Sequence, residues 1–271
     1  MTVVVQISDP HFGTEQPSVV DALIALCAEL NPDVLVLSGD ITQRARAREF
    51  AAASAFVRRL QIPAVLAIAG NHDIPLFDLV SRLFRPYAGF HKAFGAEREP
   101  SFENADCVIL SVKTTRRYRH VDGEISSEQR ERIAQRLSRA DAQKVRVVVL
   151  HQPIAVPRSS EQKNVVHGHE SAIESWAKAG ADIILAGHIH LPFVLPLHEE
   201  SPKLSRHLWA INAGTAVSNR VRYDAGNSVN VLRFAASPAA TFGVEHWGYD
   251  ISTGTFRCRA EMSLPYGLKR T

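Results

Sequence analysis

The sequence predicts an α/β fold, a four-layer α-β-β-α sandwich in which two mixed sheets are flanked by helices. Three features of the chain predict it. Up to residue 186, short apolar and β-branched runs alternate with stretches of helical spacing. From about residue 209 the apolar runs are short and strand-like, with no helical stretch between them. Most of the strand-like runs in the first part lead directly into Asp, Asn or His. We read the whole chain, residues 1–271, as one domain whose last part is mainly strand.

The elements follow in order. Residues 3–7 form a β-branched run that ends at Ser8-Asp9, and residues 34–37 form a second that ends at Ser38-Gly39-Asp40. Between them residues 18–30 have helical spacing, with Ser18 as the expected N-cap, Asp21 in the first turn and Asn31-Pro32 as the stop. Residues 44–60 repeat the helical pattern, with Phe50, Phe56, Val57 and Leu60 as the buried stripe. Residues 64–69 are a third strand that delivers Gly70-Asn71-His72-Asp73. Residues 75–100 change character, mixing Phe77, Leu83, Phe84, Tyr87, Phe90 and Phe94 with basic residues, and read as a helix and loop beside the rim of a site. Residues 107–112 are a strand, 127–138 a helix introduced by Ser126-Ser127-Glu128-Gln129, and 145–150 a strand leading to His151. A helix over 171–179 stops at Gly180, and a strand over 182–186 precedes Gly187-His188-Ile189-His190. Strands over 209–212, 229–234, 244–247 and 255–260 complete the chain, with a hairpin turn at 249–254.

Composition narrows the function. The net charge of +3 comes from 31 basic and 28 acidic residues spread along the chain, so an anionic partner is met locally and not by a basic tail. A long basic groove for nucleic acid is not evident. The three cysteines, Cys27, Cys107 and Cys258, are odd in number, far apart and set in apolar surroundings, as buried thiols of a reducing compartment are. The cytoplasm is the expected location, because the first apolar run leads into Asp9 and is not a cleavable leader. No run approaches the length of a transmembrane segment.

Five islands carry the chemistry: Asp9-Pro10-His11, Gly39-Asp40, Gly70-Asn71-His72-Asp73, His151 and Gly187-His188-Ile189-His190. Alone, each reads as a turn or a core histidine. In this order, each after a buried-looking strand, they read as the ligands of a two-metal hydrolase. Asp9 and His11, two residues apart at a strand end, can point to one side and chelate one ion, as can His188 and His190. Asp40 has two oxygens and can bridge two ions. Asp, Asn and His without thiolate suit two divalent or mixed-valence ions of Mn, Fe or Zn. Asn71 adds a neutral oxygen, which limits negative charge where the substrate is an anion.

These islands resemble the calcineurin-like metallophosphoesterase family, whose pattern Asp-x-His, Gly-Asp, Gly-Asn-His-Asp/Glu, His, Gly-His-x-His is present in order from Asp9 to His190. The resemblance implies that Asp9, His11, Asp40 and His190 hold one metal and that Asp40, Asn71, His151 and His188 hold the other. It implies that His72 contacts the substrate phosphate and helps the leaving group depart, and that Asp73 orients His72. The mechanism implied is attack by a metal-activated hydroxide in line with the leaving oxygen.

Substrate follows less directly. The stretch 212–216, with Ser218-Asn219-Arg220-Val221-Arg222 and Asn227-Ser228, resembles one in the bacterial cyclic-nucleotide phosphodiesterase branch, which makes a small phosphodiester such as 3',5'-cAMP the leading substrate. The alternatives are a phospholipid or glycerophosphodiester headgroup, suited to the aromatic segment 77–94, and a promiscuous phosphatase. A non-enzymatic scaffold of the same fold would require broken ligand positions, and all seven are intact. A homo-oligomer stays open. His167 and His169 have chelating spacing but precede a helix, so they read as a surface loop or helix entry, with a substrate contact as the alternative. Arg116, Arg117 and Arg119 read as a solvated loop, with a phosphate contact as the alternative. His91, His120, His198, His207 and His246 default to surface or structural roles.

Overall fold

A computed structural model describes residues 1–201, 203–222, 225–235 and 240–269. The first half of the chain runs β1 (Thr2–Ile7), α1 (Pro17–Leu30), β2 (Val34–Ser38), α2 (Ala47–Leu60) and β3 (Ala64–Ile68). It continues with α3 (Leu79–Phe84), α4 (Ala88–Phe94), β4 (Ser101–Glu103) and β5 (Cys107–Ser111). The second half runs α5 (Ser127–Arg139), β6 (Val145–Val149), α6 (His169–Ala179), β7 (Ile183–Ala186), β8 (Phe193–Pro196) and α7 (Leu197–Glu200). It closes with β9 (Trp209–Asn212), β10 (Ser228–Phe234), β11 (Thr241–Asp250) and β12 (Thr255–Pro265).

Two six-stranded mixed sheets result, in the orders β12-β11-β10-β1-β2-β3 and β4-β5-β6-β7-β9-β8. The strands joined by helical crossovers, β1-β2-β3 and β5-β6-β7, pair in parallel, and the later hairpin strands pair antiparallel. Residues of β1, β2, β5, β6, β7 and β10 that face each other between the sheets form one apolar layer, including Val4, Val36, Ile109, Val147, Leu185 and Leu232. A second apolar layer lies under α1, α2 and α4, and a third under α5, α6 and α7. Four layers are therefore present, as the sequence predicts.

Local sequence explains most helix ends. α1 begins with Pro17 at its first position after Gln16, so Ser18 lies inside the first turn and is not the N-cap expected from sequence. It stops at Asn31, whose φ of 44° breaks the helix. α5 has a reciprocal cap in which Gln129 N donates to Ser126 Oγ (3.2 Å) and Ser126 N donates to Gln129 Oε1 (3.1 Å). β12 is an edge strand with mostly exposed side chains, and Cys258 on it is exposed, unlike the buried Cys27 and Cys107. The expectation of three buried thiols fails because Cys258 sits on an edge strand whose residues are largely solvent-facing. Among the described residues no helix is long and apolar enough to cross a membrane.

Lys113 follows β5 and lies against the Tyr87 ring, 5.2 Å from its centre, with Nζ donating to Thr115 O (3.3 Å). Burial, then the charges of Arg116 and Arg98, push its ammonium down from 10.5 to about 8. The folded state therefore holds this proton less tightly than the unfolded chain. The cost is fully present below pH 8 and fades as pH rises toward 10.5. Solvent reaching the side chain reduces it to about 1–2 kcal/mol. Lys113→Met is expected to stabilise the protein by about that amount at pH 7, with the gain shrinking above about pH 8 and nearly gone by pH 10.5. Paired denaturant titrations of the two proteins at both pH values measure it.

Candidate metal centre

All five islands lie at the C-terminal ends of parallel strands. Asp9 and His11 follow β1, Asp40 follows β2, Asn71 to Asp73 form a single 3-10 turn after β3, His151 follows β6, and His188 and His190 follow β7. The two sheets meet here. Gln6 Nε2 on β1 donates to Ala186 O on β7 (2.9 Å), which ties the two ligand-bearing edges together.

The ligands are not aimed by strand alternation, as the spacing had implied. Asp9, His11, Asp40, His188 and His190 have φ of 50°, 43°, 48°, 70° and 55°, a left-handed conformation that side-chain-bearing residues seldom adopt. β1, β2 and β7 thus each make a tight left-handed turn on leaving the sheet, and the turn throws the ligand side chain inward. Such strain costs of order 1–3 kcal/mol per residue and persists only where the surroundings enforce it.

Glycines make the close approach feasible. A Cβ on Gly70 would overlap the backbone nitrogen, Cα and Oδ1 of Asp40, and one on Gly187 would overlap Ser8 Oγ and approach Asp9 Oδ2. Gly70→Ala is expected to lower stability by about 1–3 kcal/mol or more and to displace Asp40, weakening metal affinity. Denaturant unfolding of the metal-free protein and a metal titration separate the two effects.

The buried polar atoms form two sets that share Asp40. In the first, His11 Nε2 and His190 Nε2 are 3.1 Å apart, and Asp9 Oδ1 is 3.4 Å from His190 Nε2 and 3.9 Å from His11 Nε2. In the second, His151 Nε2 lies 3.3 Å from Asp40 Oδ1 and 3.2 Å from Asn71 Oδ1, with His188 close by. Asp40 Oδ2 is 3.8 Å from His11 Nε2, so its two oxygens face opposite sets. Side-chain hydrogen bonds fix the ring faces: His151 Nδ1 donates to Ser38 O (2.9 Å) and His190 Nδ1 to Arg220 O (2.6 Å), leaving each Nε2 turned inward.

Asp9 shows the same division. Its Oδ2 accepts from Ser8 Oγ (2.6 Å) and His188 N (2.8 Å), whereas Oδ1 is buried without a hydrogen-bond partner among the described residues. His188 Nδ1 is likewise buried and unpartnered there. Orphaned buried donor or acceptor atoms are costly, and here a cation would satisfy them. The residues present therefore fit two metal ions.

Electrostatics agree. Burial opposes ionisation of Asp9, but His190 and then His151 outweigh it and bring the carboxyl down to about 2. Burial also opposes ionisation of Asp40, yet the neighbouring charges of His151 and His72 hold it well below the usual carboxylate range. His151 is pulled the other way: burial disfavours its charge, but Asp40 raises it to about 9. Burial carries His11 down to about 3 and His188 to about 4, so both rings are neutral ligands at pH 7. A cation in the second set would displace the proton held between His151 and Asp40.

One expected role changes. Asp73 does not touch the His72 ring. Its carboxylate accepts from Gly70 N (2.8 Å), Ile41 N (3.0 Å), Thr42 N (2.7 Å) and Thr42 Oγ1 (2.8 Å), and so holds the Asp40 and Gly70 loops together. Burial and then the charge of Asp40 raise it to about 6 despite those bonds. His72 is oriented instead by the Gln43 carbonyl, which accepts from Nδ1 (2.8 Å) and leaves Nε2 facing the cleft. The reason is local: the 3-10 turn points residues 72 and 73 to opposite sides, one to the cleft and one to the core.

Arg220 is the residue that sequence reasoning left without a role. Its Nη1 lies 3.3 Å from His72 Nε2, 3.4 Å from His11 Nδ1 and 3.1 Å from Gln43 Oε1. The signal was the Ser218 to Arg222 stretch, but nothing in it specified a contact. The guanidiniums that had been weighed for a phosphate are committed elsewhere: Arg116 to Gln129 Oε1 (2.6 Å), Arg117 to Leu83 O (2.8 Å) and Arg119 to Glu124 Oε2 (3.1 Å). His169 opens α6 and faces Val166 O (3.1 Å), and His167 is exposed, so neither joins the centre. A cleft of about 460 Å³ over the metal residues is also lined by Arg220, Arg222, Asn164 and Val121. A smaller pocket of about 120 Å³ adjoins it through Asn71, His72 and Val121.

No functionally curated protein matches the chain. Among solved structures it resembles a purple acid phosphatase, PPD1, from yellow lupin (Lupinus luteus) seeds, at 14% identity and a TM-score of 0.72. That match covers 97% of this chain and 53% of the lupin protein, so the chain spans about half the length of that relative. It also resembles a dimetal phosphatase from Danio rerio, at 12% identity, TM-score 0.68 and coverage of 98% and 99%. Vps29 from Chaetomium thermophilum is similar at 10% identity and TM-score 0.54, with coverage of 100% and 98%. At these identities the likeness is one of fold. The sequence model of the calcineurin-like phosphoesterase family matches residues 2–192, the span that holds every island of the centre, and by that match the chain belongs to the calcineurin-like phosphoesterase family.

Proposed function

We propose that this protein is a two-metal phosphodiesterase. The observation that carries the reading is the pair of buried ligand sets joined by Asp40, with His72 Nε2 and Arg220 Nη1 side by side at the same cleft, 3.3 Å apart. Asp9, His11, Asp40 and His190 would hold one divalent ion, and Asp40, Asn71, His151 and His188 the other. When bound, the ions supply Lewis-acid neutralisation of phosphate charge and make water a usable nucleophile near pH 7. Seven intact ligand positions argue against a catalytically silent scaffold. The dimetal phosphatase fold of the zebrafish relative supports the count of two ions.

The chain's own residues bind and position. Arg220 presents a guanidinium to a phosphoryl oxygen in a site where a planar donor fork suits a phosphate. Its carbonyl also holds His190, so one residue links anion binding to ligand orientation. His72, pinned by Gln43, offers Nε2 to the leaving oxygen. Asp73 keeps the loops that carry Asp40 and His72 in register.

A small diester such as 3',5'-cAMP is the leading substrate, supported by the convergence of residues 212–222 on the centre: Thr215 Oγ1 donates to Asp9 O (2.6 Å) and Arg220 reaches the cleft. A phospholipid or glycerophosphodiester headgroup is the second reading, favoured by the exposed apolar residues Phe77 and Val121 beside the cleft. The buried Cys27 and Cys107 support a reducing, cytoplasmic setting. A panel with added Mn tests the choice: an aryl phosphodiester, an aryl phosphomonoester, cyclic AMP, glycerophosphocholine and phosphatidylcholine. Turnover of the aryl diester and of cyclic AMP is expected. Turnover of the lipid without the nucleotide overturns the leading substrate, and no turnover of any ester overturns the enzyme.

A further inference from the structure

Helix α3 is built inside out. Of its residues Arg82 is the buried one, and its guanidinium donates to Pro75 O (3.1 Å) and Arg119 O (2.6 Å). Leu79, Val80, Leu83 and Phe84 face solvent instead, at 69%, 67%, 51% and 74% exposure, beside Phe77 at 81%. A helix that packs only on its own protein shows the reverse pattern, apolar side inward and charge outward. The adjoining loop turns Tyr118 and Val121 outward as well, and Arg117 ties it to α3 through Leu83 O (2.8 Å). These seven are more than half of the large apolar side chains exposed among the described residues, so the exposure is concentrated and not scattered.

Charge selects the partner. Arg44, stacked 5.8 Å over the Phe77 ring, is exposed, as are Arg85 and Arg117. Two carboxylates lie nearby, Asp78, which accepts from Ser81 N (2.9 Å) and Ser81 Oγ (2.6 Å), and Asp122, 3.8 Å from Arg119, so the exposed arginines outnumber them. A symmetric contact with a second copy of the chain would set these arginines near their own counterparts. Anionic headgroups answer the arginines, and the acyl boundary just beneath them answers the aromatic and branched tips. The face is also continuous with the cleft, since Arg44, Leu76 and Val121 line the small pocket that shares Asn71 and His72 with the metal centre.

We propose that this face docks on the surface of an anionic phospholipid bilayer, with Phe77, Leu79, Val80, Leu83 and Phe84 at the headgroup boundary and the mouth of the metal cleft turned toward it. The docking needs neither metal nor a lipid substrate. Co-sedimentation of the full-length, chelator-treated protein with vesicles of phosphatidylcholine, alone or mixed with phosphatidylglycerol, tests it. Binding to the mixed vesicles, weakened by salt, is expected. Phe77→Ser/Phe84→Ser is expected to lower the partition at least about tenfold, and Arg85→Glu to reduce the preference for phosphatidylglycerol. All variants are expected to hydrolyse a soluble aryl phosphodiester at the parent rate in the presence of Mn. The proposal is overturned if the parent protein binds neither vesicle, if binding survives the double substitution, or if the parent is a dimer that the double substitution dissociates. Vesicle binding by a protein that hydrolyses nothing would uphold the docking face and overturn the phosphodiesterase reading alone.

Discussion

Asp40→Ala is expected to remove both metal ions and turnover together. Among the described residues Asp40 is the side chain whose oxygens face both ligand sets, 3.8 Å from His11 Nε2 and 3.3 Å from His151 Nε2. It also accepts from His72 N (2.8 Å), so its loss releases the turn that carries His72. Removing Lewis-acid stabilisation worth several kcal/mol corresponds to a loss on the order of 10³-fold or more in kcat/KM. His188→Ala is expected to empty the second set and to leave the first with reduced affinity, at a similar cost in rate. Metal content by mass spectrometry and kcat/KM on an aryl diester check both, with circular dichroism to show that the variants fold. Two ions retained by a folded Asp40→Ala protein would contradict its bridging position.

His72→Ala separates the two kinds of residue in the cleft. Its ring touches Gln43 O and Arg220 and packs edge-on against His11, 4.8 Å between centres, but each ligand set of four is complete without it. The variant is expected to keep both ions while kcat falls about 10²- to 10⁴-fold, the range typical of a lost proton donor or acceptor. The loss is expected to be larger for an alkyl diester than for a nitrophenyl diester, because nitrophenolate departs without a proton. A His72→Ala protein stripped of metal, or one with equal losses on both esters, would show that the residue serves the ligands and not the leaving group.

Much of this is legible in the sequence. Dense runs of Val and Leu such as 34–37 and 145–150 read as interior strands, and the residues after them are the ligands that meet. The order of helices and strands was enough for the layers. What escaped has physical reasons. β4, β8 and α7 are three or four residues long, too short to show a period. β11 and β12 extend beyond their apolar stretches because an edge pair holds its register by backbone bonds while many of its side chains meet solvent. The left-handed turns at Asp9, Asp40 and His188 leave no mark in composition, since tertiary contacts impose them. Arg220 lies far from the islands in sequence, and only the return of the chain past β9 brings it to His11 and His72. Asp73 looked like a partner for its neighbour His72, but a 3-10 turn sends adjacent side chains apart.

The most direct test is a crystal grown with manganese and measured at the manganese absorption edge. Two anomalous peaks are expected at the ends of β1, β2, β3, β6 and β7, roughly 3.5–4 Å apart, with Asp40 between them and Asp9, His11, His190 and Asn71, His151, His188 around them. A map without peaks there, or with those side chains turned away from one another, would contradict the two-metal centre on which the proposed function rests.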